Sequence, residues 1–515
     1  VRVYLDRVGC KLNQSEIEAL ARGFVQAGHH LVQTGEEADL CVVNTCTVTQ
    51  VADKKSRQLI RRLRRVNPTA HLIVTGCYAE MYPQEIRAID GVDLIVGNED
   101  KERLVEIAGK LVNRETGKSV DSETRKLVNS GTGLRIHDYT NLRFYQSTDL
   151  GHTRAFVKIQ DGCNNRCAYC ITSLARGRER SRPRQEILAE IEALVAAGGK
   201  EVVLTGVHIG GYGRDLNASL GQLVGDILAE TTLSRLRLSS IEPWDLEPSF
   251  LRLWENPRLC RHLHLPLQSG CDATLRRMRR RYTTSEYADL VATTRRLIPD
   301  LAVTTDVIVG FPGETAEEFA ASLSFVEEME FARLHVFKYS ARAGTAAADM
   351  PHQVPYAEKK RRSETMLELA RESSQRFHRG FLGRSLEVLW EKPDQDDRRI
   401  WSGLTDNYIR VMTNSELDLA NTITSTRLVG LVEGGMRGES GRSPHPQPLP
   451  APPLNPPQLW GGSRGAFKGR FFRIGPSNPH VWAQKGHLLP DIGVGGGPDK
   501  KPTLKSPRPL PPREG

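Results

Sequence analysis

No stretch of the chain approaches the roughly 18 consecutive apolar residues that a membrane-spanning helix requires, so no membrane partner is expected. The first residues, VRVYLDRVG, alternate like a strand and have neither the apolar centre nor the small-residue cleavage site of a secretion signal, which points to the cytoplasm. An even set of cysteines is missing too. Nine cysteines without a secretion signal argue against a disulfide framework and for metal or redox chemistry. At 515 residues the chain is too long for a single core, and about three domains are expected, in a monomer.

The net charge of +9 is almost absent from the body of the chain. Between Arg437 and Gly515, twelve Lys and Arg face four Asp and Glu, and the same tail holds 17 of the 29 prolines. Residues 437–515 therefore read as a disordered Pro-rich tail, and the high pI says little about partners. Local clusters are better candidates for an anionic partner: Arg61, Arg62, Arg64 and Arg65, and Arg276, Arg277, Arg279, Arg280 and Arg281 around Met278. A solvated helix face accounts for either cluster as simply.

The first hundred residues alternate strand-like words (VRVYLDRV, ADLCVVNT, HLIVTG, VDLIVGN) with helical patterns near 14–27, 49–65 and 83–89, which implies a parallel sheet covered by helices. Residues 105–148 are polar and read as a connection. From 154 the rhythm resumes through RAFVKIQ, EVVLTGV, RLRLSSI, HLHLPLQ, AVTTDVIVGF and ARLHVFKYS, about six β/α units and hence a partial (β/α)6 barrel. After a charged helical stretch at 357–380, SLEVLWEK, IWSGLTDNYIRVMT and ITSTRLVGLVEG suggest a small antiparallel barrel, a shape that commonly binds nucleic acid. The fold class is thus α/β with an N-terminal parallel-sheet domain, a partial barrel and a small C-terminal β-barrel.

Cys10, Cys46 and Cys77 each follow a strand, where parallel sheets place their ligands. They would converge on one sheet edge, unless they are simply scattered buried cysteines. Cys41 lies inside a strand and reads as core, and Cys260 and Cys271 have no partner pattern. DGCNNRCAYC, by contrast, packs Cys163, Cys167 and Cys170 into eight positions directly after a barrel strand. A closed zinc site needs a fourth ligand, and none is near in sequence; a four-iron cluster can leave one iron open.

The spacing and aromatic of CNNRCAYC resemble the radical S-adenosylmethionine enzymes. That resemblance implies a [4Fe-4S] cluster on Cys163, Cys167 and Cys170 and S-adenosylmethionine at the open iron. EVVLTGVHIGGYG, LRLSSIEP, HLHLPLQSG and TTDVIVGFPGE resemble the family's cofactor-binding strands, which makes Gly206, Glu242, Gln268 and Asp306 candidate contacts; the last three could equally be buried structural polar residues.

GCKLNQSE, NTCTVT and TGCYAE are similar to the N-terminal words of the methylthiotransferase branch. The resemblance implies a second [4Fe-4S] cluster on Cys10, Cys46 and Cys77, a methylthiotransferase N-terminal domain over 1–120, a radical domain over 148–375 and a TRAM-like domain over 376–436. LARGRERSR, TGVHIGGYGRDL and HLHLPLQSGCDATLRRMRRRYT look most like enzymes that methylthiolate C2 of N6-threonylcarbamoyladenosine beside the tRNA anticodon, consuming two S-adenosylmethionine molecules. The partners would be a tRNA anticodon stem-loop, held at its phosphates by Arg276 to Arg281 and the arginines of LARGRERSR, and an unidentified electron donor. One departure is Ser173, where the family usually has Pro. Isopentenyladenosine in tRNA or a ribosomal-protein aspartate are alternative substrates, and a zinc-containing nucleic-acid-binding protein is the non-enzymatic alternative.

Overall fold

A computed structural model describes residues 1–112 and 153–440. Most of the connection read at 105–148, and nearly all of the Pro-rich tail, lie outside the described residues. Among the described residues no helix is long and apolar enough to cross a membrane.

The N-terminal sheet comprises β1 (Arg2–Arg7), β2 (His30–Leu31), β3 (Leu40–Thr45), β4 (His71–Gly76) and β5 (Leu94–Val96), in the order β2-β1-β3-β4-β5 and parallel throughout. β3 is buried along its whole length because both sheet faces are covered. Its alternation divides the core: Leu40 and Val42 pack with Ile17, Leu20 and Phe24 on one side, Cys41 and Val43 with Ile60 and Leu63 on the other. The expected core role of Cys41 is what the structure shows. Residues 105–112, read from sequence as the start of the connection, lie instead in the helix Leu104–Val112. Leu104 and Ala108, one turn apart, are both buried against the face carrying Leu40 and Val42.

The central unit contains β6 (Arg154–Lys158), the two-residue strands β7 (Gln160–Asp161) and β8 (Arg180–Ser181), then β9 (Glu201–Thr205), β10 (Arg235–Leu238), β11 (His262–His264), β12 (Ala302–Val309) and β13 (Arg333–Lys338). The parallel runs β6-β9-β10 and β11-β12-β13 are joined by the bridge Ser240↔His264, giving six barrel strands that stay open between β6 and β13. The N-terminal domain closes that seam. Glu18 accepts from the edge amide of Phe156 at 3.3 Å, and Arg342, just past β13, donates to Thr47 at 2.5 Å and Asp53 at 2.7 Å.

The last unit is a closed barrel of β14 (Ser385–Pro393), β15 (Ile400–Thr405), β16 (Arg410–Asn414), β17 (Ile423–Val432) and β18 (Gly435–Ser440), ordered β14-β15-β16-β18-β17. It departs from the antiparallel expectation at one seam, because β16 and β18 pair in parallel. β18 runs to Ser440 in register with β17, so Arg437–Ser440 belong to this barrel and not to the tail. Tyr408, in the turn after β15 with φ of 69°, stacks on His262 at 4.4 Å and underlies the Arg237 guanidinium at 5.0 Å. The small barrel thereby stoppers the larger one.

Candidate metal centres

The loop carrying Cys163, Cys167 and Cys170 is pinched at its base by the β7–β8 ladder. The Cys163 amide donates to the Gly177 carbonyl at 3.0 Å. Gly162, at φ of 73°, can only be glycine: a Cβ there would fall 1.9 Å from the Arg178 carbonyl oxygen. Further on, the amide of Ala168 donates to Met278 and its carbonyl accepts from Ala347, seating the loop on the segments that follow the strands β11 and β13. Tyr169 packs edge-on against Phe311. Ser173 is the second residue of the helix Thr172–Arg176, within the first turn, where Pro is also tolerated. Its amide is available to the Cys170 sulfur.

The fold also brings Glu179 and His208 to Cys163, with the three ligand atoms within 4.8 Å of one another. This is where a zinc site would have to find its missing ligands. The imidazole is already committed on both sides: Nδ1 lies 2.7 Å from Glu179 and Nε2 2.6 Å from Asp245. Burial opposes a charge on His208, but the bonds to Asp245, Cys163 and Glu179 outweigh it and hold the ring protonated up to about 10. A metal here would have to displace a proton from a ring that two carboxylates hold.

Cys10, Cys46 and Cys77 stand at the carboxyl ends of β1, β3 and β4, three adjacent strands. Two glycines make the convergence possible. At Gly9, with φ of 114°, a Cβ would lie 2.5 Å from the Cys46 Cβ; at Gly76, with φ of 97°, it would lie 2.4 Å from the Thr45 carbonyl oxygen. Asn13 clamps the two loops, donating to the Val8 carbonyl at 2.7 Å and the Thr45 carbonyl at 3.1 Å. Cys10 is exposed while Cys46 and Cys77 are buried, and burial pushes the Cys46 thiol up to about 12. Cys260 is buried and Cys271 precedes a short helix; neither joins a group.

Arg176 links the two cysteine regions. It lies at the end of the helix that closes the radical loop, fully enclosed, and donates from Nε to the Cys77 sulfur at 3.2 Å. Its other nitrogens reach Glu16 at 2.7 Å, Asp161 at 3.1 Å and Asn13 at 3.1 Å. Lys101 adds a second buried cation at 2.8 Å from Glu16. Burial alone would raise the Glu16 carboxyl, but Arg176, Lys101 and Lys158 hold it well below the ordinary range. The arginine that the sequence assigns to phosphate binding within LARGRERSR is thus an internal tie.

Residues 2–97 match a family described as Uncharacterized protein family UPF0004, and residues 157–326 match the Radical SAM superfamily. The chain is 38% identical to the threonylcarbamoyladenosine tRNA methylthiotransferase MtaB of Bacillus subtilis, covering 82% of this chain and 92% of that protein. It is also 38% identical to the Thermotoga maritima MtaB, over 76% and 86% of the two chains. A tRNA-2-methylthio-N(6)-dimethylallyladenosine synthase of Akkermansia muciniphila is 33% identical, over 83% and 96%. The chain belongs to the radical S-adenosylmethionine methylthiotransferases. Among solved structures, the radical S-adenosylmethionine methyltransferase TsrM of Kitasatospora setae superposes with a TM-score of 0.50 at 16% identity, covering 67% of this chain and 77% of that one, a likeness of fold alone.

The residues present suit the cofactors of such a methylthiotransferase, two [4Fe-4S] clusters and S-adenosylmethionine. Each cysteine group offers three soft donors, and among the described residues no other cysteine joins either, the donor chemistry of an iron–sulfur cluster with one iron left free. Around the barrel mouth, Gly206 follows β9 and is pressed so closely on Gln160 that a Cβ would lie 2.8 Å from its carbonyl oxygen. Glu242 follows β10, and Gln268 follows β11 with φ of 68°. Asp306, within β12, stands apart in a cluster of its own, 3.3 Å from His264 and 3.1 Å from His335. Burial works against its charge, yet the two imidazoles hold its carboxyl below the ordinary range.

The arginine cluster at 276–281 divides. Arg280 is buried, pairs with Glu242 and lies over Trp244 at 4.7 Å and Tyr282 at 5.1 Å, so it is withdrawn from any phosphate. Arg277 pairs with Glu318. Arg276, Arg279 and Arg281 remain on the surface. The internal role of Arg176, and Glu179 and His208 altogether, have no local signal in the sequence, because their partners lie up to 163 positions away.

Proposed function

We propose that this methylthiotransferase places a methylthio group on C2 of N6-threonylcarbamoyladenosine next to the anticodon of tRNA. The observation that carries the reading is the junction at Arg176, which ties the Cys77 end of one cysteine group to the base of the loop bearing the other. In this reading Cys163, Cys167 and Cys170 hold the radical-generating cluster, and Cys10, Cys46 and Cys77 hold the cluster that carries the sulfur. When bound, these cofactors supply a radical able to break an unactivated aromatic C–H bond and the sulfur that replaces the hydrogen, chemistry beyond ordinary acid–base groups.

The chain's own residues bind, orient and exclude water. Gly206, Glu242 and Gln268 line the carboxyl ends of β9, β10 and β11, where S-adenosylmethionine is proposed to lie, and Arg280 fixes the Glu242 carboxylate from behind. Tyr169 and Phe311 keep the far side of the cysteine loop dry. Arg276, Arg279 and Arg281 are placed to meet tRNA phosphates, which orient without specifying sequence. The choice of the threonylcarbamoyl substrate over the dimethylallyl one is supported by the somewhat higher identity to relatives named for the former.

Mass spectrometry of anticodon-loop nucleosides from cells with and without the gene tests the proposal. Loss of the 2-methylthio form of threonylcarbamoyladenosine in the deletion is the expected result. An unchanged threonylcarbamoyladenosine profile overturns it.

A further inference from the structure

The helix Lys11–Gln26 begins directly after Cys10, and its first side chain reaches the barrel interior. Lys11 Nζ lies 5.9 Å from the centroid of the Tyr408 ring, within the field of Arg154, Arg237 and Asp306. Each neighbouring cation has a carboxylate of its own: Arg154 donates to Glu391 at 2.7 Å and Arg237 to Glu201 at 2.6 Å. Asp306 is occupied by His264 and His335. Lys11 makes no hydrogen bond or ion pair among the described residues, although it is only partly exposed. Among these cations Lys11 is therefore the one whose charge an incoming anion would find unshared.

We infer that Lys11 is the counter-charge for a carboxylate on the N6 substituent of the target adenosine, and so a specificity-determining residue. This rests on the proposed tRNA substrate and deepens it. C2 and N6 share the Watson–Crick edge of adenine, so a base that turns C2 toward the Cys10 group also turns its N6 arm toward the same wall. A threonylcarbamoyl arm carries a free carboxylate; a dimethylallyl arm is a hydrocarbon and would leave the ammonium unpaired. Lysine's flexible stem and compact charge suit a single carboxylate at this depth.

The test uses the cluster-loaded enzyme and three anticodon stem-loops that differ only at the modified adenosine: threonylcarbamoyl as the free acid, the same arm as its neutral methyl ester, and dimethylallyl. Dissociation constants are read by fluorescence anisotropy. The wild type is expected to bind the acid about tenfold or more tighter than the ester, the range of a charge-assisted hydrogen bond. Lys11→Gln should remove that preference and Lys11→Arg should keep it. Equal affinity of the wild type for acid and ester overturns the inference whether or not any variant folds. A Lys11→Gln protein that weakens on both RNAs alike also overturns it, since that would mark a phosphate contact. Wild type that methylthiolates only the dimethylallyl stem-loop overturns the substrate proposal. Wild type that methylthiolates the threonylcarbamoyl RNA without distinguishing acid from ester overturns the role of Lys11 alone.

Discussion

The radical loop takes its three thiols from eight consecutive positions, whereas the N-terminal group gathers Cys10, Cys46 and Cys77 from the ends of three adjacent strands. The loop is held by its own ladder, by Gly162 and by two amide bonds to later barrel segments. The strand-end group depends on the register of a whole sheet and on two glycines at positive φ. One centre therefore draws its thiols from a single segment and the other from three. Arg176, with Asn13 and Glu16 as its acceptors, touches both regions.

The largest contrast is expected from the cysteines themselves. Cys163→Ala should abolish S-adenosylmethionine cleavage, while Cys10→Ala should retain cleavage and lose methylthiolation, each leaving about four of about eight irons per chain. Assays of deoxyadenosine release and of RNA product on anaerobically loaded protein decide this; a folded Cys10→Ala that loses both activities equally ends the division of labour. Next come the glycines. Gly9→Ala should deplete the N-terminal irons while sparing the loop, and Gly162→Ala should do the reverse, because each Cβ collides within one centre only. Iron analysis with cluster spectroscopy reads the difference, and indistinguishable losses would break the comparison.

Arg176→Met should harm both centres together. It takes the shared guanidinium from Glu16 and Asp161, which keep Lys101 and Lys158 as partners, at a cost of about 1–3 kcal/mol in denaturant unfolding. A loss below 1 kcal/mol would show that the tie is dispensable. The smallest effect is a control remote from either centre. Burial, with Arg333 nearby, pushes His378 down to about 4 from 6.5. The unfolded chain takes up the proton first as pH falls, so stability present above 6.5 is lost on acidification toward 4, about 2 kcal/mol by pH 5. His378→Gln should flatten that slope in pH-dependent melts; an unchanged slope assigns the acid sensitivity elsewhere.

The same contrast governs what could be read before any coordinates. The Cys163 loop is legible because its chemistry is contiguous, and the Cys10 group because each member follows a recognisable strand. Arg176 is not legible, since nothing in LARGRERSR distinguishes the arginine that meets Glu16 from those left in solvent. The burial of Arg280 is not legible for a related reason: it depends on Glu242 and Trp244, which come from a distant loop, as well as on nearby Tyr282. Two-residue strands such as β7 and β8 are too short to show a period, and the parallel seam between β16 and β18 depends on a pairing that alternation alone cannot specify. The helix at 104–112 is short enough that its apolar stripe passed for a connection.

The floor of the large barrel has a consequence for how such proteins can be recombined. Arg235 and Arg237 are buried there and satisfy their guanidinium donors on four backbone carbonyls of the small barrel, those of Glu387, Leu404, Thr405 and Asp406. Backbone acceptors carry no sequence signature, so an unrelated domain spliced on after residue 384 would have to reproduce their positions by shape. Inheritance of the two barrels is thereby linked through main-chain geometry, and domain shuffling at this joint is restricted to donors with the same turn.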